Sequence, residues 1–402
     1  MKFYNREEEI ALLQQNAGRA KKQSAFTFVV GRRRVGKTSL LMEAMKDERT
    51  LYFFVSRKTE ALLCEEFQRE AAETLDIEIF GDITHFKDLF TALLRYSEKH
   101  PFTLIIDEFQ DFERVNRAIF SDIQDVWDRH KSSARMNFIV SGSVYSLMVK
   151  QFEDNKEPLF GRADSKLHVR PFSVATTKEI LRDHNPKYTP DDLLCLYMVT
   201  GCIPKYIALL MDAGATNKKK IFDYLFNEGS PFLTDGKEIL VSEFGTDYST
   251  YFSALQLIAQ KKNSQREIDS VLGKNTGVYL QNLEGKYNIV SRLRPIFAKP
   301  GSRNARWVIE DQYLRFWFGF VYAEQSLIET GRLDILKELT LNKYNTYSGA
   351  SLEDYFRKKL SEEGRFTQIG RSWDTKGTNE IDIVALNTLD SKALIAEVKR
   401  DG

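Results

Sequence analysis

Eight residues near the start of the chain, Gly31-Arg32-Arg33-Arg34-Val35-Gly36-Lys37-Thr38, carry the spacing G-x-x-x-x-G-K-T. The two glycines let the backbone curl so that successive N–H groups point inward at phosphate oxygens. A helix opening near Ser39 would turn its positive N-terminal end to the same phosphates. Lys37 would reach the β- and γ-phosphates, and the Thr38 hydroxyl would ligate Mg²⁺. Gly31, Val35, Gly36, Lys37, Thr38 and Ser39 are therefore the candidate nucleotide-binding residues. On average residue usage the pattern arises by chance in about 1–2% of chains this long. Arg32, Arg33 and Arg34 could add phosphate contacts, but they read as solvated loop residues and receive no role.

A loop of this kind needs a metal-side partner, and Phe102–Asp111 (FTLIIDEFQD) supplies one. An apolar strand ending in Asp107-Glu108 delivers the first carboxylate to the Mg²⁺ shell and leaves the second to polarise the attacking water. Taken alone, the same pair would serve equally as an acidic cap on the next helix.

A second constellation lies near the C-terminus, in Glu380-Ile381-Asp382-Ile383-Val384 and Ala396-Glu397-Val398-Lys399. Alternation along a strand puts Glu397 and Lys399 on one face. A turn over Thr388–Lys392 would set Asp382 beside Glu397. Two carboxylates and a lysine at one point suit Mg²⁺-assisted phosphodiester cleavage, with Asp382 and Glu397 holding metal. The other reading is an edge hairpin with solvated alternating charges.

These groups need elements to position them. Ala25–Val30, Leu51–Val55, Thr103–Ile106 and Asn137–Val140 are short, β-rich and bounded by turns or charges, and so read as buried strands. Ser39–Lys46, Glu60–Leu75 and Ala118–Lys131 read as helices between them. Such alternation predicts an α/β fold with a parallel sheet covered on both faces. From Thr177 to about Phe232 the chain reads as mostly helical, with a turn at Gly201 and Pro204. Tyr251–Gln260, Ser264–Leu272 and Thr276–Glu284 then read as three short helices. Asn288–Lys299 and Ala305–Glu310 follow as a hairpin around Pro300-Gly301-Ser302, the order of a winged helix. Tyr313–Ala323 reads as a buried aromatic helix, Ala350–Glu363 as a helix, and Glu380–Leu386 and Ala393–Lys399 as strands.

At 402 residues the chain has a prior of two to three domains. Lys and Arg total 58 against 57 acidic residues, so a wholly basic, nucleic-acid-coating surface is excluded. The three cysteines, Cys64, Cys195 and Cys202, form no CxxC or metal-ligand spacing and exclude a disulfide framework. No leader or membrane-length apolar run is visible, and a cytoplasmic location is expected.

The motifs together resemble the archaeal-type AAA+ ATPases, a branch related to the signalling STAND NTPases. The likeness rests on Phe3–Ile10, on GRRRVGKT at 31–38, on the IDEFQ run at 105–110 and on Gly201–Tyr206, and covers roughly residues 3–330. The resemblance implies ATP and Mg²⁺ as cofactors, with Lys37 and Glu108 catalytic. It places Arg6 by the adenine, Ser141 of Ser141-Gly142-Ser143 as a γ-phosphate sensor, and Arg162 as an arginine finger acting on a neighbouring subunit. Lys205 becomes a phosphate-sensing residue at the start of a helical lid. From the residues alone, 141–143 is a plain strand-end turn and Arg162 a surface salt-bridge arginine. The C-terminal residues resemble the D…ExK core of the PD-(D/E)XK nucleases, with Glu353 as the helix-borne acid beside Asp382, Glu397 and Lys399. The expected organisation is a P-loop ATPase core over 1–172, a helical lid over 173–240, a winged helix over 241–330 and a small nuclease-like α/β domain over 331–402. The expected function is a Mg²⁺-dependent, ATP-hydrolysing switch controlling the C-terminal module, possible partners being DNA, another protein or a second copy. The alternative is a non-catalytic DNA-binding or scaffold regulator using the winged helix. In that winged helix, Thr276–Glu284 carries no arginine or lysine, and Lys274, Lys286, Arg292 and Arg294 flank it.

Overall fold

A computed structural model describes residues 1–77, 81–245, 248–299, 304–374 and 378–400. The turn expected at Pro300–Ser302 lies outside them. The chain forms two compact units, Asn5–Arg170 and Met1–Tyr4 with Pro171–Gly402. The expected lid, winged helix and C-terminal segments all fall in the second.

The first unit is built on a parallel sheet of five strands: β1 (Ala25–Val30), β2 (Thr50–Phe54), β3 (Phe102–Asp107), β4 (Met136–Gly142) and β5 (Ser165–His168). Their order is β2-β3-β4-β1-β5. Every residue of β1, β3 and β4 is buried, because helices cover both faces. Phe26, Phe28, Phe138, Val140, Leu104 and Ile106 point to one core, with helices Glu60–Leu75, Phe86–Ser97 and Ala118–His130. Val29, Ile105 and Ile139 point to the other, with helices Glu7–Ala20 and Lys37–Ala44. Strand β4 is inserted between β1 and β3, with Val30 opposite Gly142 and Ile106 opposite Val140. The carboxyl ends of these three strands therefore lie side by side, which is where open α/β sheets bind ligands.

In the second unit, helices Val174–His184, Pro190–Thr200, Pro204–Asp212 and Lys218–Leu225 come first. Pro190 stands at the first turn of its helix, behind a Thr189–Asp192 capping box, and Gly201 ends the helix in the left-handed region. Helices Tyr248–Ala259, Gln265–Leu272 and Gly277–Gln281 lead into the antiparallel pair β6 (Val290–Leu293) and β7 (Arg306–Ile309). The last of these helices is shorter than expected and passes into a π-turn at Asn282–Lys286. The aromatic stretch after Gln312 is buried as expected, but after Phe316 it runs as a π-turn over Trp317–Val321. The helix expected at Ala350–Glu363 is the end of a 30-residue helix, Leu333–Glu362. Three antiparallel strands follow, β8 (Gln368–Trp373), β9 (Glu380–Asn387) and β10 (Lys392–Ala396), in the order β10-β9-β8. No helix among the described residues is long and apolar enough to cross a membrane.

Candidate functional site

The loop 31–38 leaves β1 and enters helix Lys37–Ala44 through Gly36, which holds φ +84°, a conformation glycine adopts without strain. A Cβ on Gly31 would stand 2.5 Å from the Val169 carbonyl oxygen, so only glycine lets the loop pass beside that backbone. Lys37 is buried, and its Nζ donates to the carbonyls of Gly31 at 2.8 Å and Arg32 at 3.1 Å. The cation is thus held at the mouth of the loop. Thr38 and Ser39 are exposed in the first turn, and Val35 is buried beneath it.

Across the sheet, Asp107 closes β3. Its Oδ2 accepts the Thr38 hydroxyl at 2.7 Å and the Tyr52 hydroxyl at 2.9 Å, while Oδ1 accepts the Glu108 N–H at 3.0 Å. Burial, and next the Asp107 charge, push the Tyr52 phenol well above its ordinary pKa, so it stays a donor. Glu108 sits in the left-handed region at φ +52°, an outlier of the sort that collects at functional sites. Its Oε2 accepts the Ser143 hydroxyl at 2.7 Å and the Gln110 side-chain amide. Gln110 Oε1 in turn accepts the Ser143 N–H at 3.2 Å. Gln110 comes this close because residue 142 is glycine: a Cβ there would lie 2.3 Å from Gln110 Oε1. Burial, then the Glu108 charge, raise the pKa of nearby Asp111.

The hydroxyl that meets Glu108 is therefore that of Ser143, not Ser141. Ser141 Oγ is fully buried with no hydrogen-bond partner among the described residues. Tyr52, Gln110, Gly142 and Ser143 were not singled out as chemistry-bearing from the sequence. The Ser-Gly-Ser run that closes β4 is the available signal for two of them. Arg33, read as a solvated loop residue, is partly buried and its Nε lies 3.4 Å from Ser143 Oγ. Arg6 is buried, and its Nη2 donates to the carbonyls of Val35 at 3.3 Å and Arg170 at 2.6 Å. Its Nη1 pairs with Glu9 at 2.8 Å. Arg162 pairs with Asp128 at 3.2 Å and donates to the Phe160 carbonyl at 2.9 Å. Lys205 is exposed on a helix of the second unit.

The C-terminal constellation is only partly assembled. β10 ends at Ala396 rather than Lys399, because Val398 gives its N–H to the Asp382 carboxylate at 2.9 Å instead of to the ladder. The register Ala396–Ile383 still brings Glu397 alongside Asp382. Glu397 is 58% exposed and pairs with Lys399 at 3.3 Å. Glu353 pairs with Arg371 at 3.1 Å and Arg357 at 3.6 Å, and its pKa is raised by burial. Among the described residues no group of three or more His, Cys, Asp or Glu could hold a metal ion. Glu353, Asp382 and Glu397 thus form no three-carboxylate cage. Two of the four basic residues flanking Gly277–Gln281 are engaged internally: Arg292 pairs with Glu284 at 2.6 Å, and Lys274 donates to Thr250 at 2.6 Å.

Buried lysine, loop N–H groups, and a threonine hydroxyl beside a buried carboxylate form a donor set suited to a magnesium-bound polyphosphate. A Methanocaldococcus jannaschii protein of uncharacterized function is 29% identical over 99% of this chain and 87% of its own length. The solved Walker-type ATPase of Pyrococcus abyssi aligns with a TM-score of 0.58 at 19% identity, over 79% of this chain and 96% of its own. The Aeropyrum pernix ORC2 protein, solved in ADPNP–ADP complexes, aligns with a TM-score of 0.55 at 16% identity, over 85% of this chain and 96% of its own. A family described as archaeal and bacterial proteins of unknown function matches residues 317–401. Residues 3–210, loop and acid included, match the model of an ATPase domain found predominantly in Archaea, and the chain belongs to that family.

Proposed function

We propose that the chain binds and hydrolyses ATP with Mg²⁺ at the loop 31–38, and that the nucleotide state of this site acts as a switch on the C-terminal module. The observation that carries this reading is the Thr38–Asp107 hydrogen bond at 2.7 Å, with Glu108 next in the chain. Mg²⁺, held by Thr38 and Asp107, would neutralise charge on the β- and γ-phosphates. Lys37 supplies a fixed cation to the same oxygens. Glu108 takes the proton of the attacking water as its oxygen bonds to the γ-phosphorus. The bond from that phosphorus to the β–γ bridging oxygen breaks, and ADP leaves with the electron pair. Calorimetry with Mg²⁺ and ATP, together with phosphate release, tests this. Lys37→Ala is expected to abolish binding, and normal binding by that variant would sink the reading.

The register that brings Glu397 alongside Asp382 favours a second reading, a nuclease-like C-terminal module. Mg²⁺-dependent cleavage of DNA or RNA that disappears in Asp382→Ala would support it, and cleavage unchanged in that variant would remove it.

A further inference from the structure

We propose that Arg33 is a positioning residue that reads the third phosphate and transmits that reading to Glu108 through Ser143. This rests on the ATP reading above. The Arg33 Nε lies 3.4 Å from Ser143 Oγ, and that same oxygen donates to Glu108 Oε2 at 2.7 Å. Arg33 belongs to the loop that would cradle the phosphates, and Glu108 follows Asp107, which holds Thr38 at 2.7 Å. The guanidinium therefore lies where the loop meets the acid, the gap a terminal phosphate would enter.

The Arg33–Ser143 contact is longer than the usual N–H···O bond and so is weak. A phosphate offers a guanidinium two parallel, charge-assisted bonds, each about twice as strong as a neutral one. A third phosphate would draw Arg33 off Ser143. The Ser143 oxygen, still donating to Glu108, is then open to accept a hydrogen bond from the attacking water. A diphosphate does not reach Arg33 and leaves Ser143 engaged. Lysine, a point charge without the planar fork, reproduces only part of this.

The test compares the full-length chain with Arg33→Ala and Arg33→Lys, using calorimetry with Mg²⁺·ADP and with Mg²⁺·ADPNP, and steady-state phosphate release. Arg33→Ala is expected to bind ADP within about twofold of the unaltered chain, yet lose about tenfold of its preference for ADPNP over ADP. Its kcat is expected to fall by more than its KM rises, and Arg33→Lys to recover part of both losses. Unchanged preference in Arg33→Ala overturns the proposal. So does equal weakening of ADP and ADPNP binding in both variants, the mark of a merely structural arginine. An unaltered chain that binds neither nucleotide fails at the ATP reading itself.

Discussion

The Thr38 hydroxyl donates to Asp107 Oδ2 at 2.7 Å, joining the loop after β1 to the end of β3 past the intervening β4. The same carboxylate oxygen holds Tyr52, so Asp107 is fixed both from the helix after the loop and from β2. Preorganisation of this kind removes reorganisation cost from the chemical step. Thr38→Val keeps the side-chain shape while removing the hydroxyl donor. It is expected to lower Mg²⁺-stimulated phosphate release by about 10²-fold. The check is a Mg²⁺ titration at fixed ATP, in which the variant should need more metal for half-maximal rate.

The proposed function makes Glu108 a general base, a role worth about 10²–10⁴ in rate. Glu108→Gln is expected to bind ATP within a few-fold of the unaltered chain and to hydrolyse it at least about 10²-fold more slowly. Single-turnover hydrolysis separates the two effects. A variant that hydrolyses normally would move the base elsewhere.

Gly142→Ala probes how the acid is held. The new Cβ would stand 2.3 Å from Gln110 Oε1 and 2.4 Å from Met148 Sδ, so Gln110 must leave the Ser143 N–H. Overpacking of this sort costs about 1–3 kcal/mol, readable in urea unfolding. Hydrolysis is expected to fall further than that loss alone would cause, because Glu108 loses its amide donor.

The loop and the acidic strand end were legible because local sequence dictates them: glycine spacing, a lysine, and an apolar run ending in Asp-Glu. Strand β5 was not, since Ser165-Lys166-Leu167-His168 has a single buried residue and little apolar signal. Helix Phe86–Ser97 carries a readable stripe, Phe86, Leu89, Phe90, Leu93, Leu94 and Ser97, all buried, although the sequence reading assigns no element there. The long helix Leu333–Glu362 packs through Leu336, Thr340, Tyr344, Ser348 and Ser351. These lie one helical turn apart, but three of the five are small hydroxyl residues, which hydrophobic periodicity does not count. The Ser143–Glu108 and Arg33–Ser143 contacts join residues distant in sequence, and only the β2-β3-β4-β1 order brings them together.

His168 ends β5 opposite Val30. Burial, then Arg170, Lys166 and Arg32, lower its pKa. The unfolded chain takes up this proton near pH ~6.5 and the folded chain only at lower pH. Stability of the first unit should therefore fall as pH drops below that value, until the folded group also titrates. Hydrogen exchange in β1 and β5 at pH 7.5 and 5.5 measures it, and His168→Gln is expected to reduce the difference.

Asp354, its side chain 19% exposed, pairs with Arg315 and Arg357 and lies 3.3 Å from Arg371. Burial opposes its ionised form, but the three guanidinium groups outweigh burial and hold the carboxyl well below the ordinary range. Removing one partner from a buried cluster leaves uncompensated charge and costs about 3–5 kcal/mol. Asp354→Asn is expected to destabilise the second unit by that order, since three arginines would lose their shared anion. The sign with pH follows from the depressed pKa. The carboxylate's contribution is fully present above pH ~4, where the unfolded group is ionised, and is lost as pH falls through the folded value. Urea midpoints of the unaltered chain and Asp354→Asn should thus differ by a constant amount between pH 6 and 8. A variant as stable as the unaltered chain at pH 7 would mean that the arginines are solvated well enough to do without Asp354.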